Sequence, residues 1–98
     1  MAGSEVLVVA ELQRIHDAEG LALYQQGARA QIGRFGGVVL GRGGRSFEGS
    51  PAFERVLVQK WPSADAFIAW QESEDYRPLR ETRQRCADMR IAIVPLVD

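Results

Sequence analysis

Phe35-Gly36-Gly37-Val38-Val39-Leu40-Gly41-Arg42-Gly43-Gly44, followed by Glu48-Gly49, is the stretch whose reading decides the fold. Six of the ten glycines of this 98-residue chain fall between 36 and 49, where the chain leaves a helix, enters a strand and turns back. Gly36 or Gly37 suits the left-handed position that ends a helix. Gly43-Gly44 suits a hairpin turn or bulge. Upstream the pattern is strand then helix; downstream it is strand, helices, strand.

Upstream, Glu5-Val6-Leu7-Val8-Val9-Ala10-Glu11-Leu12 reads as a strand, with Val6, Val8, Ala10 and Leu12 on one face and Leu7 and Val9 on the other. Both faces are apolar over its first half, so both need cover. Asp17 is a candidate N-cap for a helix running to about Arg34, with Ala18, Leu21, Ala28, Ile32 and Phe35 on one stripe and Tyr24 beside it. Gln25, Gln26, Arg29 and Gln31 take the outer positions, and Gly20 and Gly27 weaken the helix by roughly 1 kcal/mol each relative to Ala.

Downstream, a strand over about 37–47 turns through 48–52 into Phe53 to Trp61, where Phe53, Arg55, Leu57, Gln59 and Trp61 share one face and Val56 and Val58 the other. Pro62-Ser63 ends the strand, and Ser63 caps a helix with Asp65 in its first turn and Phe67 and Trp70 on its inner side. Pro78 requires the next helix to be kinked or to begin near Arg77. Tyr76, Leu79 and Arg83 then lie on one face, which places a permanent charge on the stripe that meets the sheet. Met89 to Val97 reads as a final strand, apolar on both faces, and Pro95 places it at an edge or at its own frayed end.

The order β-α-β-β-α-β is that of the ferredoxin-like α+β fold: one domain over residues 1–98, a four-stranded antiparallel sheet with helices on one face. The other face of the sheet, apolar at its first and last strands, is left for a second copy. The expected partner is therefore the chain itself, as a homodimer.

Composition excludes several classes. With 46% hydrophobic and 26% charged residues and a net charge of −1, no footprint for nucleic acid or an anionic membrane exists. One Cys and one His exclude an internal disulfide and the usual clustered metal sites. No phosphate loop, dinucleotide fingerprint or nucleophile elbow is present, so no cofactor is expected. No stretch approaches 18 consecutive apolar residues and no basic leader precedes one, so the expected location is the cytoplasm.

Phe35-Gly36-Gly37, Leu40-Gly41-Arg42-Gly43-Gly44, Glu48-Gly49, Arg55-Val56-Leu57-Val58, Trp61-Pro62-Ser63, Trp70, Ser73, Tyr76, Leu79 and Arg83, in this order and spacing, resemble the family known as domain of unknown function 1330. The resemblance covers roughly residues 5–94 and implies a protomer of the dimeric α/β-barrel superfamily, whose sheet packs on its twin. That superfamily includes cofactor-free monooxygenases of aromatic compounds, muconolactone-type isomerases, haem enzymes and stress-induced proteins, so the fold alone fixes no chemistry. The chain departs from the family pattern at Lys60, at Ser50-Pro51 and at Pro95-Leu96.

The candidate site group is Arg42, Glu48, Arg55, Trp70, Tyr76 and Arg83. Two arrangements fit it. In one, the arginines anchor a carboxylate or enolate oxygen in a pocket between sheet and helices, Tyr76 donates a hydrogen bond and Trp70 packs on the ligand body. In the other, an internal Arg–Glu network, centred on Arg83 and Glu48, is simply part of the core, because buried charges must be paired. Glu48, Tyr76 and His16 are the catalytic candidates: Glu48 as a base if desolvated, His16 as a neutral imidazole before a helix N-terminus or merely a solvent-facing residue. Cys86 reads as a reactive thiol or a small packing residue. The functions that fit are a small dimeric protein binding a carboxylated or aromatic metabolite, acting on it as a cofactor-free isomerase or monooxygenase, and a non-catalytic stress-associated or structural dimer.

Overall fold

In the computed structural model, which describes residues 4–50 and 53–97, the chain runs β1 (Val6–Ile15), α1 (Ala18–Arg34), β2 (Val38–Gly43), β3 (Arg55–Trp61), α2 (Ala64–Gln71), α3 (Arg77–Cys86) and β4 (Ala87–Pro95). Local chemistry sets the helix starts. Asp17 Oδ1 accepts from the Gly20 N–H at 3.0 Å, and Ser63 Oγ accepts from the Ala66 N–H at 3.0 Å. α3 begins at Arg77 with Pro78 in its first turn, where the missing N–H is harmless. Pro51, where the chain departs from the family pattern, lies outside the described residues.

The strands form one antiparallel sheet in the order β2-β3-β1-β4, the ferredoxin-like α+β architecture expected from the element order. β4 is an edge strand and ends at Pro95, so the missing N–H removes no central ladder bond. Register sorts the faces. Val6, Val8, Ala10 and Leu12 stand opposite Trp61, Gln59, Leu57 and Arg55 of β3, and opposite Pro95, Ile93, Ile91 and Met89 of β4. This is the helix-bearing face, where Leu21, Tyr24, Ala28 and Ile32 of α1 join Phe67, Trp70 and Tyr76 to form the core. Ala18, placed on that stripe by spacing, is exposed, because α1 meets the sheet only from Leu21 onward.

The opposite face presents Leu7, Val9, Val56, Val58, Ala92 and Val94, with Val38 of β2 beside them. No helix among the described residues covers it, and the molecule measures only 16 Å along its thin axis against 38 and 37 Å along the others. Two partly exposed ion pairs flank the apolar strip: Lys60 to Glu5 at 3.7 Å and Arg90 to Glu11 at 3.6 Å.

The α1–β2 connection explains the paired glycines. Gly36 has φ +95°, the left-handed conformation that L-residues avoid. Gly37 has ordinary φ but no room: a Cβ there would lie 2.6 Å from Trp61 Cε2 and Cζ2 and 2.8 Å from Ile32 Cγ2. The first glycine is set by backbone geometry and the second by the approach of the indole. Gly36→Ala is therefore expected to lower the unfolding free energy by about 1 kcal/mol or more. Urea denaturation at matched protein concentration checks this, and an unchanged midpoint would contradict it. β2 is shorter than the pattern indicated: it ends at Gly43, where Gly43 and Gly44 have φ +98° and +82° and turn the chain away from the sheet.

Candidate functional site

Between the helix-bearing face and α1 lies a cavity of about 530 Å³, floored by all four strands and walled by Ala28, Ile32, Phe67 and Trp70. Its exposed lining residues Arg29 and Gly33 on α1, and Val39 and Arg42 on β2, mark an opening between those two elements. Its polar lining consists of Tyr24, Gln25, Gln59, Gln71 and three arginines, Arg29, Arg42 and Arg83; among the described residues no carboxylate, imidazole, thiol or lysine lines it.

Arg83 is the residue that does not fit a core. It is only 9% exposed, its Nε has no hydrogen-bond partner, and Nη1 reaches no acceptor better than Met89 Sδ at 3.6 Å. The guanidinium also lies 6.0 Å from the Tyr76 ring centroid, a cation–π contact. None of the ion pairs among the described residues includes Arg83. Arg55 shows the same state in part: half-buried, level with Leu12 on the same sheet face, its Nε buried and unpartnered. It does not line the main cavity.

The aromatic cluster supports the far wall. Trp61 and Trp70 stack at 5.5 Å and 21°, and Phe67 meets Trp61 edge-on at 5.3 Å. Trp61 Nε1 donates to Gln59 Oε1 at 2.7 Å, and Trp70 Nε1 donates to Gln31 Oε1 at 3.0 Å, so both indoles present only apolar surface. Gln31 in turn donates to the Asp75 carbonyl at 3.0 Å, locking α1 to the segment before α3.

Of the residues singled out in the sequence, Arg42, Trp70 and Arg83 do line one cavity. Arg55, Glu48 and Tyr76, expected in the same group, do not line it, and of the two readings of His16 the solvent-facing one holds. Glu48 lies exposed in the bend after β2, its backbone carbonyl accepting from Ser46 Oγ at 3.3 Å; it neither lines the cavity nor pairs with Arg83, because Gly43 and Gly44 steer that segment into solvent. Tyr76 is fully buried behind the wall and does not reach the cavity; its hydroxyl meets that of Tyr24 at 2.8 Å, and Tyr24 takes the lining position instead. His16 is exposed outside the cavity with Nε2 3.0 Å from Asp88 Oδ1. Burial, then the neighbouring Tyr76, pushes the Tyr24 hydroxyl up, so it stays neutral and is no base; either hydroxyl of the Tyr24–Tyr76 pair can be the donor. Tyr24, Gln25, Arg29, Gln59 and Gln71 are the polar lining residues that the candidate group missed. Gln59 carried a signal, a polar side chain alternating with Leu57 and Trp61 on an inward strand face.

Cys86 is buried in the core cluster, the packing reading of the two. Among the described residues no helix is long and apolar enough to cross a membrane, and no group of three or more His, Cys, Asp or Glu is placed to hold a metal ion.

The fold is shared with solved structures. A protein of unknown function from Rhodopseudomonas palustris superposes with a TM-score of 0.79 at 21% identity, covering 98% of this chain and 85% of that one. SnoaB, a cofactor-independent oxygenase from Streptomyces nogalater, superposes with a TM-score of 0.72 at 14% identity, covering 97% of this chain and 95% of its own. At these identities the likeness establishes architecture and leaves chemistry to the site. No curated protein matches the sequence. The sequence profile of DUF1330, a domain of unknown function, matches residues 5–97, and the chain belongs to that family.

Proposed function

We propose that this chain is a homodimeric small-molecule-binding protein whose cavity takes a carboxylated or aromatic metabolite. The observation that carries the reading is Arg83: a buried guanidinium with no carboxylate partner, beside a cavity of about 530 Å³ with aromatic walls. The competing reading, a purely structural Arg–Glu network, needs Glu48 at Arg83, and Glu48 is elsewhere. The uncovered apolar sheet face supports the dimer, with a second copy of the same face as the cover.

Intrinsic fluorescence tests the site, since Trp70 lines the cavity and Trp61 stacks on it, and these are the two tryptophans of the chain. Titration with a panel of aryl carboxylates is expected to give a saturable change. At ligand concentrations of about a hundred times Kd, the same ligand adds about 2.7 kcal/mol of stability, a rise in Tm on the order of 10 °C for a domain of this size. A panel that changes neither fluorescence nor Tm at millimolar concentration contradicts the proposal.

A second reading, oxygenation or isomerisation of the bound ligand without a cofactor, is supported by the fold shared with an oxygenase that is cofactor-independent. Arg83 would stabilise a developing oxyanion, and Tyr24 would donate to it. Oxygen consumption or product formation with a bound aryl acid distinguishes this from binding alone.

A further inference from the structure

Taking the cavity as a ligand site, as proposed above, we infer that its ligand is a carboxylic acid bound in its ionised form. The acid group lies inward on Arg83, and the apolar body lies outward along Phe67 and Trp70 toward the mouth between α1 and β2.

The cation dictates the charge. A guanidinium is protonated at any working pH and offers five donors in a planar fork that matches a carboxylate. At Arg83 one of those donors is buried with no partner, and another meets only a thioether sulfur at 3.6 Å. The nearby carboxylates are otherwise engaged or distant. Asp88 shares with Arg83 a second, smaller cavity of about 320 Å³, but its Oδ1 lies 3.0 Å from His16 Nε2 and no ion pair joins it to Arg83.

The same inventory dictates that the ligand brings its charge with it. Among the described residues lining the main cavity, none is a carboxylate or an imidazole, and the Tyr24 hydroxyl is held protonated next to Tyr76. A phenol or ketone that is neutral in solution would find no side chain to take its proton. A carboxylic acid is already ionised at neutral pH and needs none.

Placement dictates the direction. Arg83 is buried at the Met89 end, whereas Arg29 and Arg42 are exposed at the mouth and already hydrated. The exposed pair has no unmet demand for an anion; it raises the local concentration of acids and steers them in. With the acid inward, groups next to it must fit between Leu12, Tyr24 and Met89, while the far end of the body faces the opening. The site therefore accepts substituents opposite the acid and rejects them beside it.

Isothermal titration of the full chain with para-phenylbenzoate and with its isosteric amide separates charge from shape. The acid is expected to bind roughly ten- to a hundredfold more tightly than the amide, and the ortho isomer of the acid to bind more weakly than the para. Arg83→Met is expected to bring acid and amide to the same affinity, and Arg83→Lys to keep part of the difference. A readout that needs no variant is the isotope-labelled Met89 methyl signal. With its sulfur 3.6 Å from Arg83 Nη1, it is expected to shift with the acid and not with the amide. Saturable binding of acid and amide with equal affinity would overturn the inference and leave the cavity a ligand site. No saturable binding of either probe, or of octanoate and octanamide as aliphatic counterparts, would overturn the ligand-site reading together with it.

Discussion

Trp61→Ala is expected to lower the unfolding free energy by about 3–5 kcal/mol, a large share of the total for a domain of this size. Trp61 is fully buried, stacks on Trp70, meets Phe67 edge-on, and fills the space left by the missing side chain of Gly37. Truncation removes the whole indole surface and opens a cavity that three separate elements cannot all close. It also leaves Gln59 Oε1, on a residue only 5% exposed, without the donor it now has at 2.7 Å. Chemical denaturation followed by far-ultraviolet circular dichroism measures the loss, at one protein concentration because assembly contributes to apparent stability. Trp61→Phe keeps part of the ring packing and should lose clearly less. Equal losses in the two variants would mean that the hydrogen bond, and not the packing, dominates.

The second large effect concerns assembly. Val58→Asp is expected to convert a dimer at micromolar concentration into a monomer that keeps its fold. Val58 pairs with Val9 across the two central strands, in the middle of the uncovered face. In the protomer it is half-buried on an open sheet, so a carboxylate there remains hydrated. In a two-fold dimer it would be desolvated near its own copy, at a cost of several kcal/mol. At about 1.4 kcal/mol per tenfold, that weakens the dimer by on the order of a thousandfold. Sedimentation equilibrium gives the mass and circular dichroism the fold. The wild-type interface should bury more than about 1,200 Å². A wild-type chain that is monomeric at micromolar concentration would overturn the proposed dimer, and a Val58→Asp variant that stays dimeric would move the interface to another surface.

What the sequence alone determined was set by chemistry reaching a few residues. Asp17 and Ser63 cap the helices they precede because each side-chain oxygen meets an N–H three positions on. The alternation in Val6–Ile15 and Arg55–Trp61 sorts each strand into two faces, and the sheet uses those faces as written. Gly36 was legible, as one of two glycines, because a helix that must turn sharply into a strand needs a left-handed residue. Arg83 was legible as a misplaced charge because its neighbours on the helical repeat, Tyr76 and Leu79, are apolar.

What Arg83 meets was decided only by tertiary structure. Opposite charges in a sequence suggest partners, but pairing Arg83 with Glu48 requires the 44–50 segment to fold back over the sheet. Two successive left-handed glycines send it outward instead. Tyr24 and Tyr76 both lie on inward faces of the helical layer, and periodicity cannot rank them. The docking of α1 against α3 puts one hydroxyl behind the other at 2.8 Å and leaves Tyr24 on the cavity side. The cavity itself is a property of how far α1 stands off four strands. No single segment encodes that distance, because it is the sum of the side-chain volumes packed between the layers.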